Sequence, residues 1–237
     1  MTPTPAPPYA LLVLDIDGTL LDTPHLHAWN QALKHVLGRD TGELTAHAYQ
    51  LHVAGRPRDV GARAAFASVG VDPTPVLVDR LVAVKQDVFL ALAGATTLFP
   101  DAARLLDRAA EQGVPLGFCT ASRNAGALLR GLLTGHPHAD WLIGRIDRSL
   151  DAGGSRPPAD RADAVRRVVH AWRTVPQRTL VVDDTDHGVA AGTSIGTSAV
   201  LIDRTGHRRP DDTTPRVFTL DAIDFTDWTT PTPKEST

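Results

Sequence analysis

The chain is short of cysteine, of lysine and of long apolar runs, and each shortage removes possibilities. One cysteine among 237 residues, Cys119, excludes an internal disulfide framework and suits a reducing, cytoplasmic setting. Lysine occurs only at Lys34, Lys85 and Lys234 within a Lys+Arg total of 24, so a lysine-dependent mechanism has few candidates. No apolar stretch approaches membrane-spanning length. Met1 is followed by Pro- and Thr-rich sequence instead of a basic and apolar signal. A formal net charge of −3 gives no electrostatic case for nucleic acid or an anionic membrane. What remains is 42% hydrophobic and 22% charged, the make-up of a globular chain with room for one sizeable core and a smaller accessory domain.

The positive signals begin at residues 11–20, where four apolar residues run straight into Asp15, Asp17, Gly18 and Thr19. A parallel strand covered on both faces is continuously hydrophobic, so acids at its carboxyl end need another reason. In open α/β sheets that end is where ligands bind. Asp15 and Asp17 stand two positions apart, so an extended chain points both side chains the same way. The bland alternative is a surface turn, since Asp-Gly is a common turn dipeptide. Helix is expected over 29–37, 62–69 and 76–92, with no convincing strand from 26 to 93. Beyond Pro100 the pattern alternates: helix 101–112, strand 114–119, helix 122–133, a candidate short strand 141–146, helix 159–172, strand 179–182 and a candidate strand 200–202. Such alternation is the signature of a parallel α/β sheet. The expected fold is therefore a three-layer, Rossmann-like α/β core over 1–24 and 95–237. An all-helical cap is inserted at 25–94, and the Pro- and Thr-rich ends, 1–8 and 229–237, are expected to be disordered.

Three expected strand ends carry polar groups: Asp15 with Asp17, Thr120-Ala121-Ser122, and Asp183-Asp184. Acids converging from two strand ends suit Mg²⁺, a hard cation that prefers carboxylate and water oxygens. A helix start after Thr120 suits a phosphate. Asp15-Ile16-Asp17-Gly18-Thr19, Thr120 and Asp183-Asp184 resemble three of the four signature motifs of the haloacid-dehalogenase-like phosphotransferase superfamily. The insert resembles the helical cap of its β-phosphoglucomutase-like branch. The likeness runs through His27-Ala28-Trp29, Gly55-Arg56-Pro57-Arg58 and Lys85-Gln86-Asp87 in the insert, and Ala121-Ser122-Arg123-Asn124 in the core.

The resemblance implies that Asp15 attacks phosphorus and Asp17 moves protons. Mg²⁺ would be held by Asp15, the Asp17 carbonyl and Asp184, with Asp183 beside them. Thr120 and the amides after it would bind the phosphoryl oxygens. Ala121, Ser122, Asn124, His27, Arg58 and Lys85 would meet the substrate. The family's third motif is a lysine before a Pro-rich turn; Ser155-Arg156-Pro157-Pro158 occupies that place here, making Arg156 the expected substitute and Arg145 a weaker one. Arginine keeps the charge as a planar fork. Asp183 stands where that branch usually carries glutamate, and the spacing around His25 and His27 suggests a short deletion. The implied activity is Mg²⁺-dependent hydrolysis of a small phosphorylated metabolite, a sugar phosphate or nucleotide-like compound, by a monomer or homodimer. A phosphosugar mutase and a non-catalytic phosphometabolite-binding protein are the alternatives.

Plainer readings stand beside these. Asp184 and Thr120 are also good helix caps. His27 could be solvated, and Arg58 and Lys85 could be solvated helix charges. Trp29 fits cap core. His136, His138 and Asp140 fit a polar loop better than a metal cluster, since no matching second ligand pair follows. Cys119 fits a structural role inside an apolar strand.

Overall fold

The computed structural model describes residues 9–38, 42–152, 154, 156–204, 213–226 and 228. The ends at 1–8 and 229–237, where disorder was expected, lie outside these, as does Ser155 of the Pro-rich turn. The chain divides into two compact units, one of residues 1–21 with 98–237 and one of residues 22–97.

The first unit is built on a parallel sheet. Its strands are β1 (Leu11–Asp15), β4 (Leu116–Cys119), β5 (Thr179–Asp183), β6 (Ser198–Ile202) and β7 (Arg216–Val217), in the order β4-β1-β5-β6-β7. Leu14 aligns with Phe118 on one side and Val182 on the other, so the acidic ends of β1 and β5 come level beside Cys119. The order steps outward from β1 in both directions, which opens a crevice at the strand ends. Two short strands, β2 (Leu21–Asp22) and β3 (Thr97–Leu98), pair where the chain leaves this unit and returns.

The side-chain period of two then sorts the strands between two layers. Leu12, Leu14, Leu116, Phe118, Leu180 and Val182 pack with α5 (Pro100–Glu111), α6 (Ala125–Leu133) and α7 (Ala139–Leu150). Leu11, Val13, Cys119 and Val181 pack with α8 (Arg161–Ala171) and α9 (Asp186–Ser194). By the same parity Asp15 and Asp183 belong to the α8 side. Gly117 lets α8 come close, because a Cβ there would lie 2.5 Å from Val168 Cγ1.

The second unit contains α1 (His25–Leu37), α2 (Ala46–His52), α3 (Arg58–Ser68) and α4 (Pro75–Leu92) around Trp29, Leu33, Phe66 and Leu81. Its signals are local. Thr74 caps α4 by accepting from the Leu77 N–H, Pro75 presets the first turn, and Gly38 ends α1 at a φ of 63°. Asn30 fixes the following loop by bonding both the N–H and the carbonyl of Leu44.

The sequence expectations change at several elements. Residues 141–146 are not a strand; they belong to α7, with Leu142 and Ile146 buried one turn apart. The expected helix at 122–133 starts later, at Ala125, and α2 and α9 were not anticipated. Among the described residues no helix is long and apolar enough to cross a membrane.

Candidate active site

The site gathers at the carboxyl ends of β1 and β5. One side-chain oxygen from each of Asp15, Asp183 and Asp184 lies within 4.8 Å of the others, and among the described residues no second trio of this kind occurs. Asp15 and Asp183 are buried and Asp184 is half-buried. Asp17 follows on the loop that leaves β1, with both carboxylate oxygens buried. This loop folds back on itself: the Gly18 N–H donates to the Leu21 carbonyl, and the Leu20 and Leu21 N–H groups donate to the Ile16 carbonyl. Gly18 is required twice over. Its φ is +80°, and a Cβ would lie 2.1 Å from Asp184 Oδ2.

The cation at the centre is Arg161. Its Nη2 bonds Asp15 Oδ1 and, at 2.5 Å, Asp183 Oδ2, with the guanidinium side chain only 8% exposed. Arg156, the expected partner of Asp15, is exposed on the preceding turn, and its carbonyl accepts from Arg167 Nη1. Arg145 is elsewhere, with its Cζ 3.3 Å from the Trp141 ring centroid. The correction has a geometric cause. Arg161 opens α8 on the stripe that continues through Val165, Val168 and Val169, the face turned to the β-strand layer carrying Asp15 and Asp183. That i, i+4, i+7, i+8 spacing is present in the sequence, and it was the available signal for Arg161. The family resemblance points to the residue before Pro157 instead.

Asp183 is tied on its other side too. Its Oδ1 accepts from the Thr185 N–H and hydroxyl, and Thr185 in turn caps α9 by accepting from the Gly188 N–H. The cap of α9 is thus Thr185, so capping does not account for Asp184. Gly188 leaves room for Asp183, since a Cβ there would meet its carboxylate at 1.9 Å. At the end of β4, Thr120 Oγ1 accepts from the Ser122 N–H at 3.0 Å, and Ser122 Oγ accepts from the Asn124 N–H at 3.3 Å. Ala121 is exposed on the same turn, directly before α6.

Charge follows from this packing. Burial pushes the Asp15 carboxyl well above its ordinary range; Arg161 opposes the rise, and Asp183, Asp184 and Asp17 add to it. Burial alone would lower Arg161, but the Asp15 and Asp183 carboxylates beside it outweigh that and raise it, so the guanidinium stays charged. Cys119 is pushed up to about 11, first by burial, which keeps it a neutral thiol. An all-oxygen donor set crowded with negative charge is what a hard divalent cation fits. The residues present therefore fit Mg²⁺.

The remaining expected contacts lie in the helical unit. Lys85 is not a solvated helix charge. It is 7% exposed, with Nζ 2.8 Å from His25 Nδ1 and over the rings of Phe89 and Trp29. His25 stacks on Phe89 at a centroid distance of 4.2 Å. His27 is exposed and meets the Gln31 amide at 2.6 Å, and Arg58 is half-buried at the start of α3. His136 pairs with Asp107 at 3.3 Å, away from any acidic trio.

Comparison with known proteins gives the same direction. A family model described as haloacid dehalogenase-like hydrolase matches residues 9–196. The plasmid protein CbbY of Cupriavidus necator is 30% identical over 202 residues, 80% of this chain and 76% of that one. A phosphoglycolate phosphatase of Rhodospirillum rubrum is 28% identical over 207 residues, 84% of this chain and 81% of its own length. Among solved structures, CbbY from Rhodobacter sphaeroides in complex with xylulose-(1,5)bisphosphate superposes with a TM-score of 0.65 at 21% identity, covering 90% of this chain and 96% of that one.

Proposed function

The chain is an enzyme of the haloacid dehalogenase-like hydrolase family, and we propose that it is a Mg²⁺-dependent phosphomonoesterase for a small phosphorylated metabolite. The observation that carries the reading is the convergence of Asp15, Asp183 and Asp184 on one point, with Arg161 bonded to the first two. Asp15 is the nucleophile, attacking phosphorus to form an aspartyl-phosphate while the leaving oxygen departs. Asp17, two residues on in the loop that leaves β1, gives that oxygen its proton and later takes one from the attacking water. Arg161 aims Asp15 and opposes the effect of burial on its carboxyl, and its buried Nη1, which bonds no described residue, is a donor for a phosphoryl oxygen. The Thr120 hydroxyl, which accepts from the Ser122 N–H and keeps its own proton to give, supplies a further donor. Asp15, Asp184 and the Asp17 carbonyl would hold Mg²⁺, which offsets the repulsion between an anionic nucleophile and a phosphate dianion.

A phosphoglycolate phosphatase and a CbbY that binds a sugar bisphosphate among the similar proteins support phosphoglycolate-sized acids and sugar phosphates as the first substrates to try. The test is a phosphate-release screen over phosphoglycolate, sugar phosphates and bisphosphates, and nucleotides. Release is expected to stop with EDTA and return with Mg²⁺. Asp15→Asn is expected to abolish turnover of p-nitrophenyl phosphate with an unchanged circular dichroism spectrum; full activity in that variant refutes the nucleophile. Glucose 6-phosphate made from β-glucose 1-phosphate, with no free phosphate, would replace hydrolysis by a mutase reaction.

A further inference from the structure

Outside the acidic trio, one arginine is fully committed to the loop that carries Asp17. Arg204 follows β6 and uses all three guanidinium nitrogens. Nε donates to the Gly18 carbonyl at 3.1 Å, Nη2 to the Thr19 carbonyl at 2.7 Å and Nη1 to Asp101 Oδ2 at 3.0 Å. Its Cζ lies 3.8 Å from the Phe99 ring centroid, so one face of the fork is fixed by stacking. Asp101 is itself held. The same Oδ2 accepts from the Leu220 N–H at 2.8 Å and from the Thr219 hydroxyl at 3.2 Å.

The place it grips is a glycine with no Cβ to restrict its backbone. Gly18 has a φ of +80°, and a Cβ there would lie 2.1 Å from Asp184 Oδ2, so its Cα lies against that carboxylate. The internal loop bonds use the Gly18 N–H and the carbonyls of Ile16 and Leu21, leaving the Gly18 and Thr19 carbonyls to Arg204. We infer that Arg204 is a positioning residue: by clamping the Gly18–Thr19 peptides it fixes the spacing between the Asp17 loop and Asp184, and so the affinity of the site for its divalent cation. This rests on the metal-dependent reading above. A planar fork suits this place, since two adjacent carbonyls and a carboxylate are met by the three nitrogens of one group that is itself stacked. An ammonium group keeps the charge and loses that geometry.

The experiment compares the full chain with Arg204→Ala and Arg204→Lys by thermal denaturation, by calorimetric titration with Mg²⁺ and by kcat and KM for p-nitrophenyl phosphate. Arg204→Lys is expected to stay folded and to lose roughly tenfold in Mg²⁺ affinity; Arg204→Ala, where folded, loses roughly 10–100-fold, the range typical of groups that orient ligands. kcat falls in step, and KM moves less. Mg²⁺ affinity within about twofold of the parent in the folded Lys variant overturns the proposal, since a misplaced ligand loop cannot bind equally well. A parent that binds Mg²⁺ but cleaves no phosphomonoester overturns the phosphatase reading alone, because the calorimetric comparison still decides Arg204. A parent that binds no Mg²⁺ overturns both.

Discussion

Arg161 shows how much rests on one side chain. Its guanidinium lies between two buried carboxylates, so removing it leaves Asp15 and Asp183 facing each other without compensation. Breaking one partner out of a buried ion pair costs about 3–5 kcal/mol. Arg161→Ala is therefore expected to lower the stability measured by urea denaturation by about that amount and to abolish phosphate release. Arg156→Ala, on an exposed turn, is expected to stay within about 0.5 kcal/mol of the parent and to keep its activity. If the two variants behaved alike, the assignment of the central cation would be wrong. Asp15, Asp17, Asp183 and Asp184 were legible in the sequence because acids at the ends of apolar strands are conspicuous. Arg161 shows in the sequence only as a charge on the apolar stripe of its helix, because a cation on a helix facing a sheet acquires its partners only through the packing.

The element that delivers Arg161 is α8, and its start is set by local chemistry. Asp160 caps it by accepting from the Asp163 N–H at 2.7 Å, and Asp163 Oδ2 accepts from the Ala159 N–H at 3.0 Å. This reciprocal closure fixes where the first turn begins, and Arg161 is its first residue. Asp160→Ala is expected to cost about 1 kcal/mol in denaturation and to reduce kcat, whereas Asp160→Asn, which retains a capping oxygen, keeps most of both. A variant that lost stability but kept full turnover would separate the cap from the site. The misread segment 141–146 belongs to this scale as well. A short apolar run carries no period of its own, and buried residues at 142, 146 and 149 mark a helix only when the window is extended.

At the scale of the whole molecule, the two units carry separate cores. Phe118 is fully buried in the sheet unit and Phe66 in the helical unit. Each Phe→Ala variant is expected to lose about 3–5 kcal/mol by chemical denaturation. A loss below about 1 kcal/mol at either position would show that the site collapses without a cavity. Cys119 offers a probe of global opening. With its thiol held up near 11 by burial, it is expected to resist iodoacetamide at pH 8 in the native protein and to react after unfolding. The sign of its pH effect follows. The folded state holds the proton more tightly, so this contribution to stability is intact below the free-thiol value of about 8.5 and is lost as the pH rises through 11. Fast alkylation of the native protein at pH 8 would contradict that burial.

By itself the sequence determined the parallel α/β class, the helical insert and the acidic strand ends. Each of these is written in a local pattern: continuous apolar strands, 3.6-residue stripes, and polar residues placed where a strand stops. Only the tertiary structure decided which cation meets Asp15, that Lys85 is buried beside His25, and that Arg204 reaches back to Gly18 and Thr19. Those contacts join residues 60 to 186 positions apart. Partners at such separations are set by strand parity, helix facing and register together, and no single stretch of chain contains all three.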